Sequence, residues 1–261
     1  MRPASLCLTG LTKRYDRFTA VNGINLEISE GEIFGFLGPN GAGKTTTIKM
    51  IAGLLKADEG SIVIEDHDMA NEGARCRALT GYIPDRPYLY EKLTGAEYLH
   101  FISSLYPRHD SNRYLSAAEN YLDMFDITRW RDNLIESYSH GMRQKLIMSS
   151  IFMLGQPLIV VDEPMVGLDP KSARVVKELF RQKAAQGTTI FLSTHSMEIA
   201  EQLCDRVAII VDGAVIALGS IAELKQSARH QDAHLEDIFL HLTGAGEMLS
   251  VITALQSNGR D

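Results

Sequence analysis

The stretch Gly38-Pro-Asn-Gly-Ala-Gly43-Lys44-Thr45 decides the fold class, because it matches the pattern GxxxxGK[ST] of a phosphate-binding loop. The short apolar run before it, Glu32–Leu37, predicts a buried strand. The helical spacing of apolar residues after it, within Thr46–Leu55, predicts a helix whose buried face includes Leu54. A strand, a glycine-rich turn and a helix in this order open an α/β unit, so the sequence predicts an α/β protein that binds a nucleotide.

The same loop predicts an anion-binding site. Glycines let the backbone curl so that successive N–H groups point inward at the positive end of a helix. Lys44 can reach the β- and γ-phosphates, and the Thr45 hydroxyl can ligate Mg²⁺, which prefers hard oxygen donors. A dinucleotide fingerprint is excluded, since Gly41-x-Gly43 is followed by Thr46 where a third glycine would stand. The residues expected at the phosphates are Gly38, Pro39, Asn40, Gly41, Ala42, Gly43, Lys44, Thr45 and Thr46.

A second apolar run, Leu158–Val161, ends in the two acids Asp162 and Glu163. Ligands of open α/β sheets lie beyond the carboxyl ends of the strands, so we expect these acids to meet the phosphate loop. Asp162 is expected to hold Mg²⁺ through water, and Glu163 to orient and deprotonate the water that attacks the γ-phosphate. The alternative is an ordinary strand end with solvated acids.

His195 follows the next predicted strand, Thr188–Ser193. An imidazole at that strand end can donate a hydrogen bond to a γ-phosphate oxygen. A lone histidine is more often structural or on the surface, and the expectation for His195 depends on the neighbouring motifs.

Composition narrows the class of function. The 261 residues contain 26 Lys and Arg against 33 Asp and Glu, a net charge of −7, which argues against sequence-independent nucleic-acid binding. The three cysteines are scattered and form no CxxC pair, which argues against a zinc site or a disulfide framework. This use of cysteine fits a reducing compartment. No secretory signal and no apolar run of about 20 residues is present, so the chain is expected to be soluble.

The order of the elements predicts an α/β core with an insertion. Alternating apolar residues around Leu6 to Leu8 and Ile24 to Ile28 predict N-terminal strands. Apolar spacing over 92–154 predicts a mostly helical region, which opens with the capping box Thr94-x-x-Glu97. The predicted parts are a core domain over 1–220, a helical subdomain inserted at about 86–155, and a C-terminal helical extension over 221–261.

In order and approximate spacing, six motifs resemble those of the ATP-hydrolysing subunit of ABC transporters, over roughly residues 4–220. The segments that carry the resemblance are Gly38–Thr46 (Walker A), Val160–Pro164 (Walker B), Tyr138–Met142 (signature), Gly167–Pro170 (D-loop), Thr194-His195 (switch histidine) and Tyr15 (adenine-stacking aromatic). The resemblance implies a P-loop NTPase of the ABC ATPase type. Its fold would be a mixed sheet with flanking helices, an inserted helical subdomain and an N-terminal antiparallel β region.

The resemblance also implies ATP and Mg²⁺ as cofactors and two protein partners. In the family the signature binds the γ-phosphate of an ATP held by a second subunit, so a head-to-tail homodimer is implied, with Ser139, Gly141 and Met142 acting in trans. Ser139 is also a good N-cap for a helix beginning near Met142. Asp169 of the D-loop is expected at the nucleotide. The other partner is a multi-spanning membrane permease, which would place the chain in the cytoplasm, on the inner face of the cell membrane.

The chain departs from the family pattern at three positions. His140 replaces the first signature glycine, and Met142 replaces the signature glutamine. Asp85 stands where the family has the Q-loop glutamine; a carboxylate can accept from a metal-bound water but cannot donate an N–H. The segments Tyr138–Lys145 and Leu235–Leu240 resemble the multidrug or antibiotic exporter branch.

Several alternatives stay open at this point. The first hypothesis is the energising subunit of a membrane exporter, with an importer as the opposite direction of transport. The second is a non-transport ABC ATPase that acts on ribosomes or DNA, and the third is a P-loop metabolic kinase. We expect the bulky residues Tyr88, Leu89 and Tyr90 to dock the membrane partner; the alternative is that they pack under the helical insertion.

Overall fold

The residues that the structure describes include two β-sheets, nine α-helices and two short 3-10 helices, Thr128–Trp130 and Ile135–Ser137. The computed structural model describes residues 3–106, 111–227 and 235–242. The strands are β1 (Ala4–Tyr15), β2 (Phe18–Ser29), β3 (Ile33–Leu37), β4 (Glu59–Ile64), β5 (His67–Asp68), β6 (Thr80–Ile83), β7 (Leu158–Asp162), β8 (Thr189–Thr194), β9 (Arg206–Val211) and β10 (Ala214–Ser220). The helices are α1 (Lys44–Ile51), α2 (Met69–Leu79), α3 (Gly95–Ser104), α4 (Ser111–Met124), α5 (His140–Leu154), α6 (Pro170–Ala185), α7 (Met197–Leu203), α8 (Ile221–Ser227) and α9 (Leu235–Leu242).

The larger sheet has six strands in the order β10-β9-β3-β8-β7-β6. All neighbours are parallel except the β9–β10 hairpin, so the sheet is mixed. β3, β7 and β8 are buried along their whole length, because helices or the second sheet cover both faces. Their carboxyl ends therefore meet at one edge, where the phosphate loop, the two acids and His195 follow them.

The smaller sheet is antiparallel, with the order β2-β1-β4-β5. β1 and β2 form a hairpin closed by Asp16 and Arg17, in which Asp16 has a left-handed φ of 48°. Tyr15 and Phe18 are direct partners across this turn. The predicted N-terminal antiparallel region is thus confirmed. The sequence patterns did not reveal β4 and β5: β4 begins with three exposed residues and buries only Ile62 and Ile64, and β5 has only two residues.

The six-stranded sheet separates two hydrophobic cores. Alternate residues of β3 point to opposite faces, so Phe34 and Phe36 join the core shared with α1 and the small sheet, while Ile33 and Leu37 join the core built from α3 to α7. The predicted helical region is confirmed in α3, α4 and α5, which pack against one another. No helix among the described residues has both the length and the apolar character that a membrane crossing needs.

Helix α1 ends four residues earlier in the chain than the predicted helix, which extended to Leu55. It begins at Lys44 and ends at Ile51. The N–H groups of both Leu54 and Leu55 donate to the Lys49 carbonyl, which turns the chain away from the helix axis. Leu54, predicted on the buried face, is 62% exposed. That part of the prediction is wrong, because periodicity does not show where the backbone leaves the helix.

Gly35 generates a stability prediction, because the end of α7 approaches β3 closely at that point. A Cβ at Gly35 would lie 2.8 Å from Val207 Cγ1 and 2.9 Å from Cys204 Sγ. We expect Gly35→Ala to lower the free energy of unfolding by about 1–3 kcal/mol through overpacking. Gly73→Ala, within α2, is the control: a Cβ there would lie 3.2 Å from Arg77 Nη1, the far end of a flexible side chain, and 3.8 Å from Met69 Sδ, so we expect a gain of about 0.5–1 kcal/mol. Thermal and denaturant unfolding measure both, and equal effects would contradict the account.

Candidate active site

The phosphate loop leaves β3 and enters α1 with a backbone that a larger residue could not follow. Gly43 has a left-handed φ of 105°, and a Cβ there would lie 2.3 Å from the carbonyl oxygen of Ala20. The loop is therefore pressed against the start of β2. This contact requires glycine at position 43 and positions the start of α1 toward the carboxyl edge of the sheet.

Lys44 lies across the loop. Its Nζ donates to the carbonyl oxygens of Gly38, at 2.6 Å, and Pro39, at 3.1 Å. Burial lowers the pKa of this lysine, and the nearby carboxylates of Glu163 and Asp162 partly oppose that shift. A buried ammonium with carbonyl partners only is suited to a stronger anionic partner such as a phosphate.

Asp162 at the end of β7 is buried and held from two sides. Its Oδ2 accepts a hydrogen bond from Thr45 Oγ1 at 3.1 Å, and its Oδ1 accepts one from Ser193 Oγ at 2.5 Å. The carboxylate therefore stands beside the first turn of α1. Because Asp162 is only 4% exposed, this strand end is not an ordinary one with solvated acids.

Glu163 follows with a left-handed φ of 49°, which turns its side chain toward the end of β8. Its Oε1 accepts from the backbone N–H of His195 at 3.0 Å and lies 2.7 Å from His195 Nδ1. Its Oε2 accepts from Thr194 Oγ1 at 3.2 Å. A strained backbone conformation and three partners from one strand end fix this carboxylate beside the histidine.

Lys44, Asp162 and Glu163 border one cavity of about 400 Å³, the nucleotide cavity. It is lined by Tyr15, Phe18, Ala20, Asn40, Gly41, Gly43, Lys44, Thr45, Thr46, Asp85, Asp162 and Glu163. The lining does not include the predicted site residues Gly38, Pro39, Ala42 and His195. The predicted residues Tyr15 and Asp85 line the same cavity as the phosphate loop, although they are 70 residues apart in the sequence. Phe18 was not predicted; its position opposite Tyr15 across a two-residue turn is the signal that could have found it.

The signature segment lies elsewhere. Ser139, Gly141 and Met142 do not line the nucleotide cavity of their own chain. Ser139 caps α5 as predicted, since its Oγ accepts the Met142 N–H at 3.3 Å. The imidazole of His140 packs directly on Gly167, within the loop that follows Glu163.

Asp169 has a structural position in this chain and does not line the nucleotide cavity. It caps α6: its Oδ1 accepts the Ser172 N–H at 3.0 Å, and its Oδ2 accepts from the Ser172 hydroxyl. These hydrogen bonds hold the pKa of Asp169 well below its usual range, with a smaller contribution from Lys145, whose Nζ lies 3.4 Å away. Lys145 and His140 both belong to α5, so the start of α5 contacts the loop between β7 and α6 at two points.

A phosphate loop between a central parallel strand and a helix, with an acid at the end of the next strand but one in the sheet, defines a P-loop nucleoside triphosphatase. Residues 21–166, more than half of the chain, match the family described as ABC transporter. The chain therefore belongs to the ATP-binding subunits of ABC transporters and is an ATPase of that family. This excludes the metabolic kinase considered from the sequence.

Similar proteins agree with this assignment. The chain is 39% identical over 230 residues to the fluoroquinolones export ATP-binding protein of Mycobacterium tuberculosis, covering 87% of this chain and 74% of the relative. It is 38% identical over 219 residues to a daunorubicin/doxorubicin resistance ATP-binding protein of Streptomyces peucetius, covering 84% and 66%. A solved ATP-binding subunit of an ABC transporter superposes with a TM-score of 0.87 at 32% identity, covering 91% of this chain and 99% of that one. The predicted family, exporter-like resemblance and fold class are confirmed.

The surroundings of the site generate a prediction about alkaline pH. Burial raises the pKa of Tyr82 to about 12 from 10.0, and the charges of Asp162 and Asp85 add to this. Since the folded chain favours the neutral phenol, its contribution to stability is complete below pH 10 and is lost as the pH rises through about 12. We expect Tyr82→Phe to reduce the fall in melting temperature over this pH range. The exposed Tyr88→Phe is the control, and the same slope in both variants would contradict the prediction.

Proposed function

We propose that this chain hydrolyses ATP as the energising subunit of a membrane exporter, with each ATP held between two copies of the chain. The observation that carries the proposal is the nucleotide cavity, where Tyr15, the phosphate loop and Glu163 border the same space. Tyr15 would stack on the adenine, and the loop from Gly38 to Thr46 would hold the phosphates. Export is proposed because the similar proteins named above are export and resistance ATP-binding proteins.

The chemistry of the donor set fits Mg²⁺. Thr45 and Asp162 present a hydroxyl and a carboxylate oxygen 3.1 Å apart, and Asp85 adds a second carboxylate to the same cavity. Hard oxygen donors of this kind suit Mg²⁺, which, when bound with ATP, neutralises the charge on the phosphates. Ser193 keeps Asp162 oriented from the far side, which leaves the Oδ2 edge for the metal and its waters.

Glu163 is proposed as the general base and His195 as the phosphate partner. Three contacts from Thr194 and His195 fix the Glu163 carboxylate, which lines the nucleotide cavity and can there orient and deprotonate a water molecule. The His195 side chain is largely exposed while its Nδ1 faces Glu163. The Nε2 edge is thereby directed away from Glu163. In the imidazolium form, in which both ring nitrogens carry a proton, Nδ1 donates to Glu163 and Nε2 can donate to a γ-phosphate oxygen.

The position of the signature supports pairing of two chains. Ser139, Gly141 and Met142 stand at the start of α5, where backbone N–H groups and the helix dipole favour an anion. They are outside the nucleotide cavity of their own chain, so they are available to the γ-phosphate of an ATP on a second chain. The proposed assembly is a head-to-tail homodimer with two shared sites.

The assignment of roles is tested by two substitutions in the nucleotide cavity. We expect Lys44→Ala to lower ATP affinity by at least about tenfold, because it removes a charge-assisted contact to phosphate. We expect Glu163→Gln to keep ATP affinity and to lower single-turnover hydrolysis by at least about a hundredfold, since the amide cannot take a proton. Glu198→Gln, an exposed acid at the start of α7, is the control. Hydrolysis by Glu163→Gln near the parent rate would remove the role given to Glu163.

The second part of the proposal concerns the membrane partner. Tyr88 is 86% exposed, and the exposed Tyr90 ring stands edge-on to Phe101 at 5.4 Å between centroids. Leu89, in contrast, packs against the core, as the alternative interpretation expects. Tyr88, Tyr90 and Phe101 form the aromatic surface. Tyr88 also borders a cavity of about 360 Å³, together with Leu54 and Pro84. We propose that the aromatic surface receives a permease and so holds the chain at the inner face of the membrane.

Substitution of the aromatic surface tests this docking. We expect Tyr88→Ala to leave the melting temperature and ATP affinity unchanged, because the side chain is almost fully solvated. Co-purification with a co-expressed permease should fall at least about fivefold, as for an exposed aromatic anchor. Leu218→Ala, an exposed apolar residue of β10, is the control. A fall in stability with unchanged co-purification would assign Tyr88 to the core.

A further inference from the structure

A buried glutamine links α5 to the segment that carries Asp85. Gln144 lies on α5 with no exposed surface, and its Nε2 donates to the Pro84 carbonyl oxygen at 3.2 Å. Pro84 immediately precedes Asp85, which lines the nucleotide cavity. Within the described residues, Gln144 Oε1 has no hydrogen-bond donor.

This arrangement is a poor way to stabilise a core. A side-chain amide can make up to four hydrogen bonds, and here it makes one. An apolar residue of similar volume would avoid the buried unsatisfied oxygen, so packing does not account for the amide. The donor end, in contrast, holds a backbone carbonyl one residue from the site. The contact that distinguishes Gln144 from an apolar residue is therefore its hydrogen bond to the Pro84 carbonyl oxygen.

We infer that Gln144 is a positioning residue that couples the signature end of α5 to Asp85. The inference rests on the proposed function, in which Ser139 at the start of α5 serves the ATP of the second chain. Gln144 lies about one and a half turns after Ser139 on a single helix, so a displacement of the signature moves the amide with it. The Pro84 carbonyl follows that amide, and Asp85 follows Pro84.

The other end of the contact is equally restrained. β6 ends at Ile83 and is paired with Val161 of β7, next to Asp162. The segment that begins at Pro84 therefore starts at a fixed place beside the carboxylates, and its first carbonyl is held by α5. His140 and Lys145 of α5 contact the second segment that leaves the site, at Gly167 and Asp169. One helix thus holds both segments that lead away from the carboxyl edge of β6 and β7.

The chain contains a matched control in Gln156. This glutamine is also buried, and its Oε1 also has no donor among the described residues. Its Nε2 donates to the carbonyl oxygen of Thr80 at 2.9 Å and to that of Ala78 at 3.3 Å, at the opposite end of β6 from Asp85. The same Nε2 lies 3.4 Å from the Tyr106 hydroxyl. Gln144 and Gln156 therefore differ in which end of β6 they hold.

The test compares Gln144→Leu with Gln156→Leu in the full chain. ATP turnover (kcat and KM), ADP affinity and melting temperature are measured for both. We expect Gln144→Leu to lower kcat about tenfold while ADP affinity stays within about twofold, because the coupling changes and the phosphate loop does not. Gln156→Leu should keep kcat within about twofold of the parent and lower the melting temperature more, because it loses three hydrogen-bond contacts where Gln144→Leu loses one. Gln144→Met, which preserves the length of the side chain, repeats the measurement if the leucine variant does not fold.

The outcomes separate this inference from the proposed function. ATP hydrolysis by the unaltered chain and by Gln156→Leu verifies the proposed function independently of Gln144. A parent-like kcat in Gln144→Leu or Gln144→Met would overturn the inference, and so would an equal loss of kcat in the Gln156 variant. A selective loss of kcat with unchanged ADP affinity supports it.

Discussion

The side-by-side pairing of β7 with β8 is the constraint on which the site depends. Two carboxylates at the end of a buried strand are stable only where hydrogen-bond donors compensate for lost water. The parallel register places Ser193 opposite Asp162, and the next two residues of the chain, Thr194 and His195, donate to Glu163. A shift of one residue in this register would turn Ser193 away from Asp162. The chemistry of the site is therefore set by sheet pairing.

Helix α5 holds the signature segment away from the cavity that the sheet strands form. The sheet brings Lys44, Asp162 and Glu163 to one cavity, whereas α5 carries Ser139 outside that cavity. The start of α5 nevertheless contacts the loop after Glu163 through His140. Under the proposed function, each chain binds one ATP with its own phosphate loop and contacts the second ATP, held by the other chain, with its signature segment. The contacts of α5 are then the physical route by which the two sites of a dimer affect each other.

The sequence allowed prediction of the parts that follow from strand ends. The phosphate loop, Asp162, Glu163 and His195 each follow an apolar run, and strand ends of a parallel sheet converge. The sequence did not allow prediction of where α1 ends, of strands β4 and β5, or of the mostly exposed α2. Backbone turns and packing between segments distant in the chain determine where these elements form and end. Phe18 and Gln144 were not predicted for a similar reason, since the position of each depends on a contact with another segment. Phe18 pairs with Tyr15 across a turn, and Gln144 contacts Pro84, 60 residues earlier in the chain. The D-loop motif located Asp169 but did not reveal its role as the cap of α6.

ATP-driven association distinguishes a site shared by two chains from a site formed within one chain. The mass of Glu163→Gln in solution would be measured by light scattering with and without ATP and Mg²⁺, because blocked hydrolysis preserves the shared state. If the site is shared, we expect twice the 28.9 kDa chain mass with ATP and the single mass without it. Ser139→Ala in the same background should weaken the pairing while leaving ATP bound. A Glu163→Gln chain that binds ATP and Mg²⁺ and still has the mass of one chain at high concentration would contradict the shared site.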